Sequence, residues 1–216
     1  MPSAKLFRRA FDMKVGVVAD GSAEVAALRE LLSRITADGL EIITPLYADM
    51  QPLSTPAQIV KAAEGRLPIC RGRGCRKIVV LLDHETRNSC PGVWAQTVSR
   101  AFHDAGHTDV RVVIKQRQFE NWLVADLPTV KRLHGRKYRI TDAHVEAVRN
   151  RGADKVDAMD ILERCTDGEY CKRRDAATFC RAISPDAVAA NSRSFRRFLR
   201  VVGHPRYALQ SRVAAS

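Results

Sequence analysis

Several familiar sequence features are missing from this chain of 216 residues. No apolar stretch approaches the roughly 20 residues of a membrane-spanning helix. Residues 1–14 are basic but contain no apolar core of a secretion signal, so we expect a cytoplasmic protein. No glycine-rich loop of the GxxxxGK(S/T) type is present, which argues against a P-loop nucleotide hydrolase. There is also no internal repeat. These absences favour a globular protein that works away from membranes.

Paired cysteine motifs are equally scarce. The sequence has six cysteines, and Cys70, Cys75 and Cys90 could form part of a zinc site only if a second pair completed it. No such pair follows. We therefore expect free thiols, as is usual in a reducing compartment.

Positive charge is abundant. The formal net charge is +12, from 36 basic and 24 acidic residues. Arginine far outnumbers lysine, and its planar guanidinium matches the geometry of phosphate groups. The charge is compatible with a nucleic-acid partner and also with an ordinary solvated basic surface.

Strands and helices alternate in the first half of the chain. Apolar runs predict strands at 14–19, 41–47, 77–82 and 109–115, and helical spacing predicts helices over 22–36, 55–65 and 91–106. This order predicts an α/β fold with a mostly parallel sheet flanked by helices. Pro45 indicates that the second strand lies at an edge or ends early. Arg71-Gly72-Arg73-Gly74 is predicted to be a flexible basic loop.

A helical, basic region follows a boundary near residue 127. We predict one domain over 14–127, which includes a helix at 119–126, and a helical region over 128–216 that packs on it. The last predicted helix, 192–202, turns Phe195 and Phe198 inward. Its outer side carries four arginines that are candidate nucleic-acid contacts or solvated charges: Arg193, Arg196, Arg197 and Arg200.

Acidic residues follow two of the predicted strands. Asp83 and Glu85 come directly after 77–82 and, being two apart, can point the same way. Asp20 follows 14–19 and precedes Gly21. Ligands of open α/β sheets bind at the carboxyl ends of the strands, and Mg²⁺ prefers oxygen ligands of this kind. His84 then points away and is not expected to be a ligand.

The pair of motifs Asp20-Gly21 and Asp83-His84-Glu85 resembles the Toprim fold of topoisomerases, primases and OLD-type nucleases. That family usually has Glu-Gly after its first strand and Asp-x-Asp after a later one. Both positions differ here by one methylene while the charge is kept. The resemblance implies a Rossmann-like sheet with bound Mg²⁺ or Mn²⁺. Topoisomerase action is not expected, because no strand-passing tyrosine domain is evident.

Three further segments are similar to one Toprim-like subgroup. They are Glu120-Asn121-Trp122, Tyr170-Cys171-Lys172 and the Ser192 to Phe195 segment. The subgroup consists of small uncharacterised proteins that are often encoded beside ATPases in phage-defence loci. The resemblance implies a metal-dependent nuclease that acts on DNA or RNA and is controlled by a partner ATPase. The alternative is a degenerate Toprim-like protein that serves as a binding or regulatory subunit.

The expected metal ligands are carboxylates. Asp83 and Glu85 are the first candidates, and Asp20 is the third ligand or a general base. Glu24 is a candidate for a second metal or for orienting water. Glu24 also lies in the first turn of a predicted helix, where it could simply complement the helix dipole.

Two other residues are assigned catalytic roles beside the metal. Glu120 could hold a second ion or orient water, and Lys172 could neutralise charge on the scissile phosphate. Glu120 could instead pair with an arginine in a structural network, and Lys172 could be a solvated surface charge. Trp122 is expected in the core rather than as a platform for base stacking.

Overall fold

A parallel sheet forms the centre of the computed structural model, which describes residues 13–51, 53–85 and 89–208. In these ranges the strands are β1 (Met13–Ala19), β2 (Leu40–Ile42), β3 (Leu46–Tyr47), β4 (Lys77–Asp83) and β5 (Val110–Lys115). The order is β2-β1-β4-β5, and β3 also pairs with β1. All of these pairings are parallel. The predicted α/β class with a mostly parallel sheet is confirmed.

The register brings the ends of three strands to one edge. Val17 lies opposite Val79 in the pairing of β1 with β4, and Asp83 lies opposite Lys115 in the pairing of β4 with β5. The middle residues of β1 and β4 are fully buried, as expected for β-branched runs covered on both faces. The carboxyl edge is therefore where the first charged residues after these runs meet.

The second predicted strand is split in two. β2 and β3 flank a short break that contains Pro45, which has no N–H to donate to a sheet ladder. β2 pairs near the start of β1, while Leu46 of β3 pairs with Val18 near its end. Both parts of the predicted strand lie at the edge of the sheet, as Pro45 indicated.

Eleven α-helices surround the sheet in the described ranges. They are α1 (Ser22–Leu32), α2 (Pro56–Glu64), α3 (Leu67–Gly72), α4 (Pro91–Asp104), α5 (Glu120–Leu123), α6 (Leu127–His134), α7 (Asp142–Arg151), α8 (Ala158–Cys165), α9 (Lys172–Ala182), α10 (Pro185–Asn191) and α11 (Arg193–Val202). Short 3-10 segments occur at Val124–Asp126, Ala153–Lys155 and Pro205–Tyr207. No helix in the described ranges is long and apolar enough to cross a membrane.

Some helix predictions were wrong. α1 ends at Leu32 instead of continuing to residue 36. Arg71 and Gly72 belong to α3 rather than to a flexible loop, and Arg71 is fixed by two hydrogen bonds to the Asp109 carboxylate at 2.7 and 2.8 Å. The sequence pattern also missed α6 and α10, both of which have proline in their first turn.

The sheet separates two layers of the core. One face packs against α2, α3 and α4. The other packs against α1 and against helices from the second half of the chain. Trp122, fully buried, contacts Phe195 of α11 edge-on with a centroid distance of 4.9 Å and donates a hydrogen bond to Ser194 Oγ at 2.8 Å. The helices after residue 127 therefore share a core with the sheet.

Candidate metal site at the carboxyl edge of the sheet

Three carboxylates converge at the carboxyl edge of the sheet. Asp20 follows β1, Asp83 ends β4 and Glu24 lies in the first turn of α1. One oxygen from each lies within 4.8 Å of the others. Asp20 Oδ2 also accepts a hydrogen bond from the backbone N–H of Asp83 at 2.8 Å. The neighbouring parallel strands β1 and β4 place the two aspartates side by side, and the first turn of α1 brings Glu24 next to them.

A lysine lies among the three acids. Lys115 is the last residue of β5, and its side chain is fully buried. Its Nζ is 2.5 Å from Glu24 Oε1, 2.9 Å from Asp20 Oδ1 and 3.0 Å from Asp83 Oδ1. Sequence reasoning missed this residue. The signal that could have found it is a charge at the end of an apolar strand, as at Asp83.

Negative charge remains in excess in this cluster. Burial, reinforced by Asp20 and Asp83, raises the pKa of Glu24 to about 8 despite the opposing Lys115. Burial likewise raises the pKa of Asp83 to about 6, with Lys115 opposing and Asp20 adding to the rise. Burial disfavours the Lys115 ammonium, yet the three carboxylates raise its pKa well above the usual value. One ammonium thus compensates three carboxylates only in part.

One buried carboxylate oxygen of the cluster has no partner. Glu24 Oε2 is buried and unpaired, whereas Asp83 Oδ1 lies 3.0 Å from the Lys115 ammonium. Unpartnered buried oxygens are costly unless something else compensates them. Hard oxygen donors with surplus negative charge fit Mg²⁺ or Mn²⁺. Glu24 and Asp83 would hold such an ion, with Asp20 beside them.

Glu85 lies outside the group of converging oxygens, and so does His84. Glu85 is exposed and has a positive φ of 45°, which is uncommon for a residue other than glycine. Its backbone N–H donates to the carbonyl of Arg117, another residue with positive φ, at 2.6 Å. Burial and Asp20 raise the pKa of the Glu85 carboxyl, so it lies within the field of the cluster.

A second charged group adjoins the cluster. Glu120 is buried, and its Oε1 lies 3.1 Å from Lys172 Nζ and 3.5 Å from the hydroxyl of Tyr170. The ring of Phe119 lies 5.9 Å from the Lys115 ammonium and 5.8 Å from that of Lys172. Glu120 therefore pairs with a lysine and a tyrosine in place of the arginine considered from the sequence.

Lys172 is more than a solvated charge. Its side chain is only 34% exposed. Burial disfavours its ammonium, but Glu120, Glu24 and Asp83 raise its pKa. The ammonium of Lys172 is thus partly accessible to solvent beside the carboxylates, while that of Lys115 is fully buried.

The arginines of α11 divide into two groups. Arg193, Arg197 and Arg200 are exposed, and among the described residues none of them has a carboxylate partner. Arg196 instead donates to the backbone carbonyls of Ala189 and Ala190 at the end of α10. Arg196 therefore joins two helices, which sets it apart from the other three arginines.

Two of the exposed arginines, Arg193 and Arg197, lie near the start of α4. The pKa of the Cys90 thiol, at the start of α4, is lowered by backbone N–H groups and also by Arg193 and Arg197. Cys90 lies on the segment that leaves β4 after Asp83. The start of the exposed face of α11 is thus near Cys90, whereas Arg200 adjoins Val201, whose carbonyl accepts a hydrogen bond from Lys77 at the start of β4.

One family model matches residues 19–202, a domain of unknown function named DUF4276. The chain belongs to this family. The matched region contains every residue of the acidic cluster, the Glu120–Lys172 pair and the arginines of α11. No curated protein and no solved structure matches the chain.

Proposed function

We propose that this DUF4276 protein is a Toprim-like, Mg²⁺- or Mn²⁺-dependent nuclease that hydrolyses phosphodiester bonds of DNA or RNA. The observation that carries the proposal is the buried oxygen of Glu24 that has no partner, beside Asp20 and Asp83. The carboxylates that follow β1, begin α1 and end β4 leave an excess of negative charge at the edge where α/β proteins bind ligands. A divalent ion held there would activate water and stabilise the leaving oxygen.

The remaining residues fit a phosphate substrate. Lys172 is charged, partly open and held by Glu120, so it can contact a phosphate oxygen next to the carboxylates. Arg193, Arg197 and Arg200 offer guanidinium groups that are not engaged by carboxylates in the described part of the chain. They can contact the nucleic-acid backbone without reading its sequence. The net charge of +12 favours such a partner.

A second candidate function is a binding or regulatory subunit without catalysis. The observation that favours it is Lys115, which gives all three acids a cation without any metal. Control by a partner ATPase and a role in anti-phage defence are proposals from the Toprim-like resemblance. They fit either candidate.

Incubation with labelled DNA and transfer RNA tests the nuclease proposal. The purified protein is assayed with Mg²⁺, Mn²⁺ or a chelator, and again with a candidate partner ATPase and ATP. We expect cleavage that needs the metal. Asp83→Asn keeps the side-chain volume and removes the charge, so it should lower the rate about a thousandfold or more.

Asp142→Asn is the matched control, because Asp142 is an exposed aspartate that pairs with Lys131 and not with a residue of the acidic cluster. It should cut at the wild-type rate. Absence of cleavage by folded wild-type protein under every condition would remove the nuclease proposal. If Asp83→Asn also kept full biological activity, the regulatory subunit would take its place.

A further inference from the structure

The Lys115 ammonium has the surroundings of a bound cation. It contacts one oxygen from each of three carboxylates at 2.5 to 3.0 Å. One follows β1, one is in α1 and one ends β4. An ammonium has three N–H donors, and three carboxylates surround this one. The side chain is fully buried, so the charge is held in place without solvent. Such an arrangement is unlike an exposed ion pair, in which water competes with the partner.

The oxygens not engaged by Lys115 leave limited room for further cations. Asp20 Oδ2 is occupied by the backbone N–H of Asp83. Glu24 Oε2 has no partner. Two-metal sites of hydrolytic enzymes hold their ions about 3.5–4 Å apart with carboxylates between them. In this cluster an ammonium already lies between the carboxylates.

We propose that the Lys115 ammonium takes the place of one divalent ion at this cluster, so that the protein binds one ion fewer than the same carboxylates would without the lysine. That the wild-type protein binds an ion at all is part of the proposed nuclease function. The role proposed for Lys115 is independent of it, because it concerns only the difference in the number of bound ions between wild type and a Lys115 variant.

The energetic reason lies in the cost of a buried, uncompensated charge. Removing one partner of a buried ion pair leaves the other partner's charge without compensation. Without Lys115, the side chains of Asp20, Glu24 and Asp83 must take up protons or bind a cation. A divalent ion prefers oxygen ligands of the same kind, so it can substitute for the ammonium.

Counting bound Mn²⁺ tests this directly. Electron paramagnetic resonance titration gives the number of ions per chain for wild type, Lys115→Met and Lys77→Met. Lys77→Met is the matched control, since Lys77 is a partly buried lysine of the same sheet that donates to the Val201 carbonyl. We expect one additional ion in Lys115→Met and no change in Lys77→Met.

Thermal unfolding supplies a second measurement that is independent of catalysis. In chelator, Lys115→Met should unfold at a lower temperature than wild type. Mn²⁺ should raise its melting temperature by more than it raises that of wild type, because ligand binding stabilises the folded state. Lys115→Gln is used in parallel in case Lys115→Met does not fold. If neither variant folds at any Mn²⁺ concentration, the proposal is overturned, since an ion that replaces the ammonium restores the fold.

The outcomes separate this proposal from the nuclease proposal. One ion in wild type and two in the variant support both. No ion in wild type and one in the variant support the role of Lys115 while removing the metal-dependent nuclease. Equal numbers in wild type and Lys115→Met overturn the role of Lys115 whatever the activity assay shows.

Discussion

Two buried acidic sites of this protein are compensated in opposite ways. At the carboxyl edge, three carboxylates surround one ammonium, and Glu24 Oε2 has no partner. At the start of α9, the single carboxylate of Asp175 has many donors. These are the hydroxyl of Tyr138 at 3.0 Å, Lys137 Nζ at 3.2 Å, the backbone N–H of Cys171 at 3.0 Å and Arg174 Nη2 at 2.8 Å.

The pKa shifts follow the number of donors. Burial acts to raise the pKa of Asp175, but hydrogen bonds from Arg174, Cys171, Tyr138 and Lys137 outweigh it and lower the pKa to about 2. Burial raises the pKa of Glu24 to about 8, because Lys115 is shared with Asp20 and Asp83. A carboxylate that the fold satisfies serves the structure, whereas a buried carboxylate left short of partners indicates a ligand site.

Replacing an aspartate by asparagine should have different consequences for stability at the two sites. Asp175→Asn should lower the free energy of unfolding by about 2 kcal/mol, since four donors lose a charged acceptor. Asp83→Asn should not lower the stability of the metal-free protein, because it removes repulsion among carboxylates, while it lowers the cleavage rate about a thousandfold or more. Urea unfolding of both variants in chelator measures this. A destabilisation by Asp83→Asn as large as that by Asp175→Asn would contradict the comparison.

The pH dependence of stability should also differ between the two acidic sites, and Glu24 should determine it near neutral pH. The pKa of Glu24 rises from 4.5 to about 8 on folding, so the folded protein holds this proton more tightly than the unfolded chain. Its contribution to stability is complete below about pH 4.5 and is lost as pH rises towards about 8. The slope for one proton is at most about 1.4 kcal/mol per pH unit. Metal-free wild type should show this decline, and Glu24→Gln or added Mg²⁺ should reduce it.

Asp175 should produce the opposite trend in acid. Its folded pKa of about 2 lies below the ordinary 3.8. Its contribution is therefore present above about pH 3.8 and is lost as pH falls towards about 2. Unfolding of Asp175→Asn followed over this range should lack that part of the acid dependence. An equal loss in wild type and variant would show that other groups control acid unfolding.

The smallest expected effect concerns the arginines of α11. If Arg193, Arg197 and Arg200 contact phosphates, each alanine substitution should reduce the log–log salt slope of nucleic-acid binding by about one. Arg196→Ala is the internal control, because Arg196 is engaged with α10 carbonyls and should leave the slope unchanged. Binding measured by fluorescence anisotropy over a salt series tests this. An unchanged slope in the triple variant would assign these residues to a solvated face.

Local sequence was enough to predict the framework. β1, β4 and β5 follow from apolar β-branched runs, and the alternation of strands and helices predicts the parallel sheet. Asp20 and Asp83 could be placed at the carboxyl edge because a charged residue ends a buried strand. The inward face of α11 follows from the helical spacing of Phe195 and Phe198. Each of these predictions depends on residues that are close together in the chain.

Tertiary structure alone decided how the charges are compensated. Lys115 is 95 positions from Asp20 in the chain, and only the strand order places β5 beside β4 so that its last residue meets the acids. The same packing buries Glu24, which the helix dipole alone could have explained. It also joins Glu120 to Lys172 and keeps Glu85 outside the converging oxygens. Whether a buried charge is satisfied depends on partners from distant segments, and local patterns in the sequence contain no information about those partners.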